Sequence, residues 1–367
     1  MSVVSARALG RATLARQMLL AREKHDVVDA VERLGGLQAQ LPRPPFVALW
    51  ARLDGFTRDR LHDAVRARTV VRATMMRGTL HLVSARDFVR FRAALQPMLS
   101  ASMAAVLRER FMAEFLTPVT AAARALLAAQ PRTFEALRAE LSRAFPGIDE
   151  RALGYAVRMH VPLVQVPDEA MEWGWDIGPA FALADAWLGT PVPTFDDGAL
   201  AALVRRYLGA FGPATPADMQ CWSGLKGLRT TFDAMRDELV TLRDARGREL
   251  FDLPDAPRPD EDVDAPPRLL PEFDSLVLSF DDRTRVIADA HRPIVVSKNL
   301  QVAATFLVDG VVAGTWKVTR ARGVATLVAT PFAAVRTRDR RTLEREGEAL
   351  LRFVDPDARG HAVTFAA

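Results

Sequence analysis

The run PRTFEALRAELSRAFPGIDERALGYAVRMHVPLVQVP, residues 131–167, spells out most of one folding unit. Thr133 is placed to cap a helix over 134–144, with Leu137 and Leu141 one turn apart on a single apolar face. Pro146-Gly147 stops that helix, and Asp149 opens another that reaches about His160. An extended run, 162–167, follows, and the alternation over 173–181 supplies a partner strand. Upstream, Pro118 opens a helical stretch to Ala129, which Pro131-Arg132-Thr133 interrupts. Three helices followed by a hairpin is the order of a helix-turn-helix carrying a β wing.

The order recurs on both sides, and repetition on this scale signals tandem units. Downstream, a helix over 199–208 breaks at Phe211-Gly212-Pro213, and Thr215-Pro216 starts the next with proline in its first turn. A third helix covers 228–238, and 239–243 pairs with 249–253 around Arg246-Gly247. Upstream, a looser copy has helices over 13–23, 27–34 and 57–66, then a hairpin of 70–76 with 79–83 turned at Arg77-Gly78. Residues 254–267 form a Pro- and Asp-rich linker. Beyond it, strands are expected over 275–279, 294–296, 303–308, 311–318, 325–329 and 362–365, with Asp309-Gly310 as a hairpin turn and one amphipathic helix over 338–353. The expected fold class is α+β. Three tandem winged-helix units, at 1–105, 106–190 and 191–256, are scaffolded by a C-terminal β-rich domain at 257–367.

The 367 residues are 49% hydrophobic and 26% charged, which suits a multidomain globular protein and excludes a disordered one. Apolar runs fall far short of the roughly 20 residues that cross a bilayer. Residues 1–17 carry arginines rather than a signal-peptide block, and the lone Cys221 suits a reducing compartment. A cytoplasmic monomer with no membrane partner is expected. Of 49 basic residues only four are lysines, leaving 45 arginines. Arginine forks match phosphates, although GC-rich coding produces the same bias. The six histidines are scattered, with no metal-ligand spacing, and no glycine-rich nucleotide loop or nucleophile elbow is present. Neither a metal nor a cofactor is expected.

The chemistry concentrates in Leu34-Gly35-Gly36-Leu37-Gln38-Ala39-Gln40-Leu41-Pro42-Arg43-Pro44-Pro45. Gln38 and Gln40 lie two apart, so in an extended stretch both amides point the same way and can hold and aim one water. Solvent-facing glutamines at a helix end are the other reading. His81 sits on a strand two residues from Thr79, either as a contact to phosphate or lesion or as a hydrogen-bonded core histidine. Trp222 and Trp316, among apolar neighbours, read as core anchors. Asp274, Asp282 and Arg283 read either as a salt-bridged turn or as a frame for the active site, the turn being favoured, with the arginines near it expected to touch phosphate.

The run 33–45, the stretch Met76-Arg77-Gly78-Thr79-Leu80-His81-Leu82, the Trp222-Ser223-Gly224 neighbourhood, Leu270-Pro271-Glu272-Phe273-Asp274-Ser275, Asp282-Arg283-Thr284-Arg285 and 309–316 occur in one order along the chain. Together they resemble the AlkZ/YcaQ family of winged-helix bacterial DNA glycosylases. The resemblance implies tandem winged helices forming a concave DNA-binding face. It implies hydrolysis of the N-glycosidic bond of N7-alkylated purines, including interstrand cross-links, in double-stranded DNA. Gln40 stands where YcaQ-type members carry Asp, which points to the AlkZ branch and to self-resistance against azinomycin-type genotoxins. Gln38 and Gln40 become the catalytic pair, and Arg43, Arg77, His81, Arg283 and Arg285 the candidate DNA contacts. An N7-alkylpurine is already cationic and leaves readily, so positioned neutral groups suffice. No lysine neighbours the motif, which favours a monofunctional enzyme over a Schiff-base lyase. A winged-helix transcription regulator without catalysis is the competing reading.

Overall fold

The computed structural model describes residues 3–110, 113–194 and 196–366. The middle unit forms where local signals place it, with helices Leu116–Ala129, Phe134–Ala144 and Glu150–His160. Thr133 Oγ1 and Asp149 Oδ1 accept from the amides of Ala136 and Ala152 at 3.2 and 2.8 Å, satisfying first-turn N–H groups. Leu127, Leu137, Leu141, Leu153 and Val157 close a core of their own. The hairpin pairs Leu163–Gln165 with Ala180–Leu183. Its return strand starts at Ala180 rather than 173, because Trp173 packs edge-on against Phe46 at 5.2 Å and Trp175 is buried in the N-terminal core.

The N-terminal hairpin, Val70–Thr74 with Leu80–Ser84, turns through Met76–Gly78 as expected. It does not end as a separate unit. Ala73 pairs with Val164, so the first two hairpins fuse into one six-stranded sheet. Leu37–Gln38 closes one edge against Leu80–Ser84, and Arg132–Thr133 closes the other. The helices Val27–Arg33, Pro44–Arg52, Arg58–Arg66, Ala85–Phe91 and Gln96–Leu107 surround its first half.

The first helix departs from expectation. It runs Ala6–Arg16 rather than 13–23, because Ser5 accepts from the Ala8 amide at 3.0 Å and caps it early. It packs on the third unit, made of helices Ala199–Phe211, Pro216–Ser223 and Arg229–Ala234 and hairpin Val240–Asp244 with Glu249–Asp252, and its Arg11 reaches on to the Val263 and Asp309 carbonyls. Val3–Val4 adds to that hairpin in parallel, and fully buried Arg16 holds Asp252 through two bonds of 2.7 and 2.9 Å.

The C-terminal region is a five-stranded sheet in the order Arg268–Leu270, Thr305–Val308, Val311–Ala321, Val324–Pro331, Gly360–Phe365. The last pair is parallel, with helix Thr337–Val354 as the crossover that buries Leu343, Leu350 and Leu351. Two expected strands are absent from it. Residues 275–279 start as the 3-10 turn Ser275–Val277, capped by Asp274, and 294–296 belong mainly to the helical turn Arg292–Val295 begun by Pro293. The class is mixed α+β.

Candidate active site

The sheet edge at Leu37–Gln38 fixes the motif's backbone. Gln38 pairs with His81, and the Ala39 amide donates to the Leu80 carbonyl at 2.8 Å. From behind, buried Arg72 donates from Nε to the Ala39 carbonyl at 2.9 Å and from Nη2 to that of Gln40 at 3.2 Å. Burial pulls its pKa down to about 10, which leaves it charged at neutral pH. The backbone of three consecutive residues is thereby fixed, that of Ala39 from both sides.

The glutamine amides are gripped separately. Gln38 is 8% exposed, and its Oε1 accepts from Arg77 Nη2 at 2.6 Å. Arg77 also donates to the Trp222 carbonyl, and burial lowers its pKa to about 10. Trp222 is itself buried, with Tyr207 at 5.2 Å. Gln40 is exposed, and its Oε1 accepts from the Leu80 amide at 2.9 Å. Neither glutamine is an idle surface group.

His81 lies beneath them, 1% exposed, with Nδ1 3.1 Å from the Thr79 carbonyl and Nε2 buried without a protein partner. Burial, aided by the Arg77 charge, pushes its pKa down to about 3, so the ring is neutral at working pH.

Gln38 borders a cleft of about 10 Å³, room for about one water, whose far wall is 271–275. Two carboxylates stand on that wall. Asp274 is consumed: its Oδ1 accepts from Arg52 Nη2 at 2.9 Å and the Leu276 amide at 3.0 Å, and its Oδ2 from Arg52 Nη1 at 2.9 Å. Glu272 is half-used, with Oε1 accepting from Arg43 Nη2 at 2.9 Å and Oε2 buried without a protein partner. Among the described residues no three His, Cys, Asp or Glu side chains gather as metal ligands.

The model of the family described as DNA glycosylase AlkZ-like matches residues 31–353, which spans both walls of this cleft. The chain belongs to the AlkZ-like DNA glycosylases. It is 26% identical to an interstrand DNA cross-link repair glycosylase of Streptomyces sahachiroi, over 92% of this chain and 93% of that protein. The fold matches the solved DNA glycosylase AlkZ of Streptomyces sahachiroi with a TM-score of 0.80 at 22% identity, covering 99% of this chain and 100% of that one. Membership makes this protein an enzyme and sets aside the reading as a regulator without catalysis.

The five candidate DNA contacts of this AlkZ-like glycosylase separate. Arg43 flanks the cleft with its side chain about a third exposed. Arg77 holds Gln38 from within, while His81 is buried on the strand that pairs with Gln38, its ring bonded to Thr79. Arg283 and Arg285 are turned inward, a departure from the expectation that they reach phosphate. Arg283 Nε donates to the Phe280 carbonyl at 3.2 Å, while Arg285 donates to the Pro213 carbonyl at 2.7 Å and covers the Phe280 ring at 4.5 Å. The expected salt-bridged turn of Asp274, Asp282 and Arg283 does not form: Asp274 pairs with Arg52 and Asp282 with Arg246 and Arg248, partners that reach in from other segments. Trp316 is the anchor it resembled, donating to the Leu270 carbonyl at 2.9 Å just before the carboxylate wall. Arg72 and Glu272 were missed. Arg72 left only a strand-embedded arginine as a clue, and Glu272 meets Arg43 across 229 residues.

Proposed function

We propose that this glycosylase hydrolyses the N-glycosidic bond of N7-alkylated purines in duplex DNA, leaves an intact abasic site, and extends to interstrand cross-links of the azinomycin type. The observation that carries the reading is the pair Gln38 and Gln40, each fixed by a dedicated donor, with Gln38 lining a cleft the size of one water. A cationic base leaves without acid help, so catalysis reduces to holding the lesion, placing water and stabilising an oxocarbenium-like sugar. None of the four lysines lines the cleft, which favours hydrolysis over Schiff-base chemistry. The cross-link substrate is supported by what the Streptomyces sahachiroi relative is named for. The repeated three-helix-and-hairpin order supports three winged-helix units divided near 105, 190 and 256, the first carrying the motif. Arg43 is the phosphate contact retained at the cleft.

The test is release of free 7-methylguanine from methylated duplex, followed by alkali treatment. Base release with breaks only after alkali supports the proposal. Breaks without alkali, or a borohydride-trapped adduct, would overturn the monofunctional mechanism, and no base release would overturn the substrate class.

A further inference from the structure

The geometry points to Glu272 as a catalytic residue, the acceptor of the attacking water's proton, with Gln38 and Gln40 facing the site as hydrogen-bond donors. The inference rests on the hydrolytic reading above. It begins with what the glutamines have left to offer. Arginine and a backbone amide only donate, so Arg77 and Leu80 fix which amide atom they meet. The oxygen of each glutamine faces its donor, which turns the NH2 group the other way as a free donor. One such donor can hold a water through one lone pair and leave the other to attack, or grip an acceptor on the base, but a neutral amide does not take a proton. Hydrolysis therefore needs an acceptor from elsewhere.

The cleft wall opposite Gln38 supplies one. Asp274 has both oxygens committed to Arg52 and the Leu276 amide. Glu272 Oε2 is buried with no protein partner, while Arg43 holds the other oxygen and fixes the carboxylate's orientation. Phe273, between them, has φ 61, a left-handed backbone that a residue with a side chain rarely adopts. That reversal separates the free carboxylate from the consumed one.

The step balances without a further reagent. The water oxygen bonds to C1′, and the C1′–N9 bond breaks with its electron pair passing to the cationic N7-alkylpurine, which departs neutral. The water's proton goes to Glu272 Oε2 and then to solvent. The carboxylate also faces the developing positive charge on the sugar, where it stabilises the transition state.

Single-turnover excision of 7-methylguanine by Glu272→Gln tests this, because the substitution keeps shape and removes the proton acceptor. The expected result is a loss of about a hundredfold or more, with melting temperature and affinity for undamaged duplex unchanged. Formate, a small replacement acceptor, is expected to restore part of the rate to Glu272→Ala. Where Glu272→Gln fails to fold, Glu272→Asp keeps the charge beside Arg43 but withdraws it by one methylene, and a loss above tenfold is expected. An excision rate within threefold of wild type in a folded Glu272→Gln, or in Glu272→Asp where that variant stands in, overturns the assignment. A wild-type enzyme that releases no base overturns the hydrolytic reading instead, so the two failures are distinct.

Discussion

Two hairpins in this protein turn on the same dipeptide, and they have different fates. In the first, Arg77-Gly78 closes Val70–Thr74 onto Leu80–Ser84; in the third, Arg246-Gly247 closes Val240–Asp244 onto Glu249–Asp252. Arg246 is 64% exposed along its side chain and pairs with Asp282 at the surface. Arg77 is roofed by the helix Pro216–Ser223 and the turn at Gly224, and its guanidinium reaches Gln38 and the Trp222 carbonyl. The local sequence specifies a turn in both. What covers the turn decides whether its arginine becomes solvated decoration or part of a site.

The largest expected effect is at the atom the covered turn serves. Gln38→Ala should slow single-turnover excision about a hundredfold, or 2.7 kcal/mol, with fold and DNA affinity retained. Gln40→Ala should follow the same direction. Wild-type rates in both would return the glutamines to a merely structural role.

Removing the arginines sharpens the contrast. Arg77→Ala frees Gln38 and strands the Trp222 carbonyl, a loss of about 1–3 kcal/mol in denaturant unfolding, together with slower excision. Arg246→Ala should stay within about 0.5 kcal/mol and excise normally. Equal effects on both would dissolve the distinction.

His81 extends it to pH. Burial and the Arg77 charge hold its folded pKa near 3, against about 6.5 in the unfolded chain. The unfolded state alone takes up the proton between those values, so this contribution to stability is present above pH 6.5 and is lost as pH falls. Asp87, at the start of the helix after the same hairpin, works in the opposite sense. Its pKa is raised to about 6 by burial, so its contribution is lost as pH rises from about 4 to 6. The melting temperature of His81→Gln should fall less than that of wild type between pH 7.5 and 5, whereas identical slopes would show the ring to be irrelevant to acid stability.

The smallest contrast lies in two glycines. Both have positive φ, 81 at Gly224 and 77 at Gly247, but a Cβ on Gly224 meets Met98 Cγ at 2.9 Å and Arg77 Cα at 3.2 Å, while one on Gly247 meets open space. Gly247→Ala should cost about 1 kcal/mol from backbone strain alone, and Gly224→Ala should cost more and slow excision. Chemical denaturation with parallel rate measurements separates them.

Much of this was legible, and the boundary follows interaction range. Thr133, Pro146-Gly147 and Asp149 state the middle unit locally through caps and breakers, and the helices appear where those residues put them. The alternation over 275–279 misled because Asp274 caps a turn there while its carboxylate is claimed by Arg52, 222 residues away. The paired glutamines were visible from spacing, but the Arg77, Arg72 and Glu272 groups around them meet only after folding. Arginine abundance said least about position. Arg11, Arg16, Arg52, Arg72, Arg92, Arg268, Arg283 and Arg285 are all buried, many of them on carbonyls or carboxylates of distant segments. A residue type that matches phosphate matches the protein's own acceptors equally well.

The Arg16–Asp252 pair, 236 residues apart, has a consequence for how the molecule is made. At about 5–20 residues per second, the ribosome delivers Asp252 roughly 12–50 s after Arg16. The helix Ala199–Phe211 and the Leu208 carbonyl arrive about 40 residues earlier, but until Asp252 is made the Arg16 cation lacks its carboxylate. The first hairpin can close early, whereas the N-terminal helix must wait. Its docking onto the third unit is therefore a late event in biosynthesis, and a nascent chain stalled before residue 252 should leave residues 6–16 open to protease while 70–84 is already protected.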